Sequence, residues 1–200
     1  MERLERHSKR LPKSEHAVWA IALLSAESET EVHRFLISSL GVSRQFLRKN
    51  LHLTIYHSRR RLPGLEDYQE DIKVEVEPKY WRFMTIAPGG ENPRPDIDTS
   101  KRPVGVRIQR AAPAYNQILE LRSRFYPFET QEALAGRKPS GDRRSAFGSH
   151  HYQPHVSLLR SGSGIDPSLS KAGVLFRTAV PKLTFDRFSV RCLTSAKGNA

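Results

Sequence analysis

Leu51-His52-Leu53-Thr54-Ile55-Tyr56 and Tyr152-Gln153-Pro154-His155-Val156-Ser157-Leu158 are the stretches on which the fold of this chain turns. Each sets a histidine two residues before a hydroxyl in a β-favouring run. Side chains at i and i+2 of a strand leave the same face, so each stretch presents an imidazole beside a hydroxyl and keeps leucine or valine for the reverse. If the strands are neighbours, the pairs face one cleft.

Working outward, the first stretch reads as a strand over residues 50–57, with His52, Thr54 and Tyr56 on one face. Leu51, Leu53 and Ile55 take the other face, and His57 projects opposite His52 in a structural position. Upstream, AVWAIALL at 17–24 is continuous enough for a strand buried on both faces. Ser28 is placed to cap a helix to Leu40, with Glu31 three residues on, Val32, Phe35, Leu36 and Leu40 on its apolar side, and Gly41 as its stop. Downstream come a basic turn at Arg59-Arg60-Arg61 and Pro63-Gly64, alternation at Ile72, Val74 and Val76, a strand at 80–87, an irregular connection at 87–103, and a strand at Val104, Val106 and Ile108. Pro113 opens a second helix, whose apolar side is Tyr115, Ile118, Leu119 and Phe125.

The second motif strand spans 152–160 and ends in SGSG at 161–164. Tyr152 lies an odd number of residues before His155, so it faces away from the cleft and shapes the strand. A last pair of strands is predicted at 174–180 and 183–193, with a bulge near Asp186-Arg187 where the apolar parity changes.

Two hundred residues at 38% hydrophobic content supply one ample core, so residues 16–195 read as a single domain between a charged arm at 1–15 and a tail at 196–200. The 33 Lys and Arg against 21 Asp and Glu, a formal +12, favour nucleotide, oligonucleotide or RNA partners. No apolar run nears the roughly 20 residues that span a bilayer, so a cytoplasmic protein without a membrane role is expected. No obligate protein partner is inferred. Cys192 stands alone, which excludes an internal disulfide and a multi-cysteine zinc site, and no His-x-x-x-His pair falls on a plausible helix, so no cofactor is expected.

In-line cleavage of a phosphodiester needs a base for the attacking oxygen and an acid for the leaving oxygen. Imidazole titrates near neutral pH, so His52 and His155 can share these roles without metal, in either assignment. Thr54 and Ser157 would donate to the non-bridging oxygens as charge builds.

These residues resemble the hallmark of the two-histidine phosphoesterase superfamily, the LigT-like proteins with paired His-x-Thr/Ser tripeptides in two similar lobes. His52-Leu53-Thr54 and His155-Val156-Ser157 match it, and Tyr152-x-Pro154 with Leu158 extends the second match, Ser157 replacing the commoner threonine. The resemblance implies an α+β fold of two similar lobes, each an antiparallel sheet flanked by helices, around a central cleft. It implies a metal-independent phosphodiesterase acting on 2′,3′-cyclic phosphates or 2′-linked phosphodiesters.

Hydrolysis of cyclic oligonucleotide signals, as by phage nucleases, and 2′-5′ RNA ligation are its alternatives, and LHLTIYHSRRRLP at 51–63 resembles the phage-type group. A non-catalytic RNA-binding module is the reading from a different class. Tyr56 is either a base-stacking residue beside His52 or a filler of a half-buried surface. The loop at 131–149 is either a phosphate-contacting lid, with Arg143 and Arg144 at its tip as substrate-binding residues, or a solvated insertion.

Overall fold

A computed structural model describes residues 17–58, 62–86, 103–128, 152–165 and 170–193. The arm at 1–15, Arg59 to Arg61, all but the last residue of the 87–103 connection, the 131–149 loop with Arg143 and Arg144, and the tail at 196–200 lie outside the described residues.

The chain runs β1 (Ala17–Leu24), α1 (Ala26–Ser38), β2 (His52–Ser58), β3 (Tyr68–Val76), β4 (Trp81–Thr85), β5 (Val104–Ile108), α2 (Ala114–Ser123), β6 (His155–Leu159), α3 (Ser170–Ala179) and β7 (Leu183–Leu193). The protein is α+β. Where separate sheets in two lobes were expected, the described strands join one seven-stranded sheet in the order β3-β7-β1-β2-β6-β5-β4, with every neighbouring pair antiparallel. The motif strands β2 and β6 are neighbours in it, meeting at Leu53 and Val156.

One face of the sheet is the core. Val18, Ala20 and Ala22 of β1, Leu53 and Ile55 of β2, Val156 and Leu158 of β6, Val104 and Val106 of β5, and Phe185 and Phe188 of β7 are all buried. The helices close this face: Phe125, just after α2, stacks on Tyr56 with ring centroids 4.5 Å apart, and Phe176 of α3 meets Phe35 of α1 edge-on at 5.3 Å and Phe83 of β4 at 5.9 Å. Such aromatic pairs contribute about 0.5–1.5 kcal/mol each beyond their buried area.

Several expectations are corrected by this packing. β1 is buried on one face rather than two, because its odd positions look away from the helices and leave Trp19 52% exposed. The stretch expected as a strand at 174–180 is largely helix α3, since Ala172, Phe176 and Val180 are buried at a four-residue period while Val174 is exposed. The cap of α1 is Ser25, whose Oγ accepts from Ser28 N at 3.2 Å. Ser28 is instead buried inside the helix, and its Oγ accepts from Thr184 N at 3.0 Å, docking α1 beside β7. On α2 the buried side includes Leu121 and Arg122, and Leu119 is exposed.

Other expectations agree with the structure. Val32, Phe35 and Leu36 form the buried side of α1, and Gly41 ends it at φ +66°, a conformation that favours glycine. The bulge in β7 lies at Asp186, since Leu23 pairs with Arg187 and Leu24 with Phe185. Among the described residues no helix is long and apolar enough to cross a membrane.

Candidate active site on the open face of the sheet

Leu53 and Val156 are opposed and both buried, so the residues flanking each of them in sequence emerge on the opposite, open face. His52 and Thr54 therefore share that face of β2, and His155 and Ser157 share that of β6. One step either way along the antiparallel register sets Thr54 beside His155 and His52 beside Ser157. The two imidazoles are then diagonal neighbours, a relation in which Cα atoms lie roughly 7–8 Å apart.

Each imidazole is held the same way. His52 Nδ1 is 2.8 Å from the Asn50 carbonyl oxygen, and His155 Nδ1 is 2.8 Å from that of Gln153. A carbonyl only accepts, so Nδ1 carries the hydrogen in both rings and donates it, and Nε2 is the nitrogen turned to other partners. His52 is exposed and His155 half-buried.

The residue carrying each accepting carbonyl is held in turn, Asn50 through its backbone and Gln153 through its side chain. Glu29 on α1 accepts from Asn50 N at 3.1 Å and from Leu51 N at 2.9 Å, one carboxylate oxygen to each. Asn50 itself takes φ +55°, a left-handed conformation that asparagine tolerates better than most residues. On the other side, Arg107 Nη1 donates to Gln153 Oε1 from the position on β5 directly opposite His155. Gly105, opposite Ser157, lets β5 approach closely, since a Cβ there would collide with the Val156 carbonyl oxygen and lie 2.9 Å from the Ile86 side chain.

Tyr56 is not on the open face. Ala20 pairs with Tyr56 and Ile21 with Thr54, so Ile55 is an extra residue that reverses the alternation. Tyr56 consequently points into the core, 1% exposed and stacked on Phe125, and base stacking by this residue is ruled out. The same bulge returns His57 to the side of His52, against Trp19 with ring centroids 5.5 Å apart, rather than to the reverse face.

Side chains from α2 and from the approach to β6 satisfy the backbone at this bulge. Tyr152 donates its hydroxyl to the Thr54 carbonyl at 2.9 Å, and Arg122 Nη1 donates to the Ile55 carbonyl at 2.7 Å. The Arg122 guanidinium also lies over the Tyr152 ring, 4.2 Å from its centroid. Burial pushes the Tyr152 phenol well above its ordinary range, with Arg122 opposing the shift, so the hydroxyl keeps the proton it donates. Tyr152 thus shapes the strand approach, as its spacing from His155 predicts.

Residues that the sequence reading did not single out complete the open face. Cross-strand pairing puts Arg107 and Arg82 on its β5–β4 side, and Arg187 and Arg191 on its β7 side. Trp19, Ile21 and Leu23 lie between β7 and β2. A signal for Trp19 existed in AVWAIALL, where the bulkier Trp19 and Ile21 occupy odd positions and Ala20 and Ala22 even ones. The arginines carry no such signal, because strand pairing alone brings them to this face. Among the described residues, no three His, Cys, Asp or Glu side chains gather as metal ligands. No protein-family model and no curated protein matches the chain.

Proposed function

We propose that the protein is a phosphoric diester hydrolase that uses His52 and His155 as its acid–base pair on nucleotide or oligonucleotide substrates with a 2′,3′-cyclic phosphate or a 2′-linked phosphodiester. The observation that carries this reading is the pairing of β2 with β6, which sets two imidazoles diagonally between two hydroxyls, each ring anchored through Nδ1 to a carbonyl. A ring so anchored offers Nε2 to take or give a proton with its orientation already fixed.

In this reading a phosphoryl group lies between the rings. One Nε2 removes the proton of the attacking hydroxyl or water, the other gives a proton to the leaving oxygen, and Thr54 and Ser157 donate to the non-bridging oxygens. The protein parts need no bound metal for these transfers. The net charge of +12 and the arginines on both sides of the open face draw in the anionic substrate. The sheet is read as two lobes, β3-β7-β1-β2 and β6-β5-β4, meeting at the motif strands with the cleft over their junction.

The test is turnover of nucleoside 2′,3′-cyclic phosphates, 2′,5′-linked oligoadenylate and cyclic dinucleotides by protein treated with chelator. Cleavage should persist after chelation and fall by about 10²–10⁴ in His52→Ala and in His155→Ala. Absence of turnover on every substrate, with RNA binding equal in wild type and both variants, would sink the proposal in favour of a binding module.

A further inference from the structure

The open face holds an exposed tryptophan that a catalytic quartet alone does not require. Trp19 lies on a central strand, and its direct neighbours are His57 on β2 and Arg191 on β7. It is 52% exposed, although helices cover the reverse of the same strand and Ala20 and Ala22 beside it are buried. Its ring meets the His57 imidazole at 5.5 Å with a 45° tilt, so the indole has a flanking wall.

The position of this pair relative to the motif strands is set by the ladder. Ile21 of β1 stands opposite Thr54, and Trp19 is two residues further along the same strand, about 7 Å away at the rise of a β-strand. That is the scale of the span between a nucleotide's phosphate and its base. Its cross-strand neighbour Arg191 is exposed and shares this face of the sheet, a cation suited to an anionic ligand.

We infer that Trp19, walled by His57 and with Arg191 as its neighbour across the strand pair, is a nucleobase platform, and that the substrates are base-bearing phosphodiesters rather than base-free sugar phosphates or phospholipids. This rests on the proposed reaction of His52 and His155, because it places the base of the nucleotide whose phosphate they process. An indole stacks on the π-face of any base, so the platform selects for the presence of a base more than for its identity. Tyr56, buried under Phe125, leaves this role to Trp19 and His57.

The experiment compares kcat/KM for adenosine 2′,3′-cyclic phosphate and for the base-free ribose 2′,3′-cyclic phosphate in the wild type, Trp19→Ala and Trp19→Phe. The preference for the adenosine ester should fall about ten-fold in Trp19→Ala, chiefly through KM, and be mostly retained in Trp19→Phe. A parallel titration of the full chain carrying both His52→Ala and His155→Ala with adenosine 2′-monophosphate reads binding without chemistry. Its indole fluorescence should be quenched, and the quench should vanish when Trp19→Phe leaves only the buried Trp81.

Unchanged preference in a turning-over Trp19→Ala, or a quench that persists without Trp19, overturns the platform and leaves the two-histidine reaction standing. A Trp19-dependent quench in a chain whose wild type cleaves neither ester, nor 2′,5′-linked oligoadenylate, nor cyclic dinucleotides, upholds the platform and removes the reaction. Absence of both the quench and turnover overturns both.

Discussion

The Tyr152 hydroxyl donates to the Thr54 carbonyl oxygen at 2.9 Å, joining the approach to β6 with the centre of β2. This contact lies where the two motif strands stop pairing. Ile55 is bulged, so a side chain takes the place of a strand partner. The distance between the two halves of the candidate site depends on this bond as well as on the pairing at Leu53 and Val156.

Tyr152→Phe removes the bond and leaves the Thr54 carbonyl without that donor, at an expected cost of about 1 kcal/mol. The same variant has a pH signature. Burial raises the Tyr152 phenol above its ordinary value, so the native state keeps a proton that the unfolded chain releases near pH 10, roughly. The stability tied to this group is complete below about pH 10 and is lost progressively above it. Thermal midpoints of wild type should therefore fall more steeply above about pH 10 than those of Tyr152→Phe.

Arg122→Met keeps much of the stem volume and removes the donor to the Ile55 carbonyl as well as the cation over the Tyr152 ring. The residue is buried, so water does not replace the lost donor freely. Denaturant titration should show a loss of about 1–3 kcal/mol, and a coupling with Tyr152→Phe in a double-mutant cycle.

Glu29→Gln tests the support of His52 from a distance. The amide retains one acceptor for Asn50 N and Leu51 N but turns an N–H toward the other, so the Asn50 carbonyl that accepts from His52 Nδ1 loses its fixed position. Stability should fall by about 1–2 kcal/mol, while kcat on a cyclic nucleotide falls with KM nearly constant. Equal activity of Glu29→Gln and wild type would show that the helix does not position this histidine.

Gly105→Ala brings a methyl group against the Val156 carbonyl oxygen and the Ile86 side chain. The carbonyl belongs to backbone and yields little, so the β5–β6 pair beside Ser157 must part. Overpacking of this kind costs roughly 1–3 kcal/mol, measurable as a lower denaturation midpoint. Ala112→Gly, at a buried alanine outside the β5–β6 ladder, is a control that should leave the protection of the Ser157 amide from hydrogen exchange nearer to wild type.

Read alone, the chain shows which side chains can belong together on one strand. The alternation around His52 and His155 is a local property, set by the two-residue period of extended backbone and by the apolar partners on the reverse face, and the structure has both pairs as that period predicts. The parity change that locates the bulge at Asp186 is local in the same sense. The bulge at Ile55 left no such trace, because LTIY at 53–56 alternates as a regular strand does, and only the pairing of Ala20 with Tyr56 reveals the extra residue. That one residue takes Tyr56 out of the open face and puts His57 into it. The helical character of 170–179 was likewise obscured, since a short apolar run fits strand or helix until Phe35 and Phe83 pack around Phe176.

The neighbourhood of β2 and β6, the hold of Glu29 on Asn50, of Arg107 on Gln153 and of Tyr152 on Thr54, and the exposure of Trp19 all come from tertiary structure. Each joins residues far apart in the chain. Strand register and side-chain-to-backbone bonds over such separations are chosen by the packing of the whole sheet against its helices, while steric alternation along a strand is chosen within a few residues.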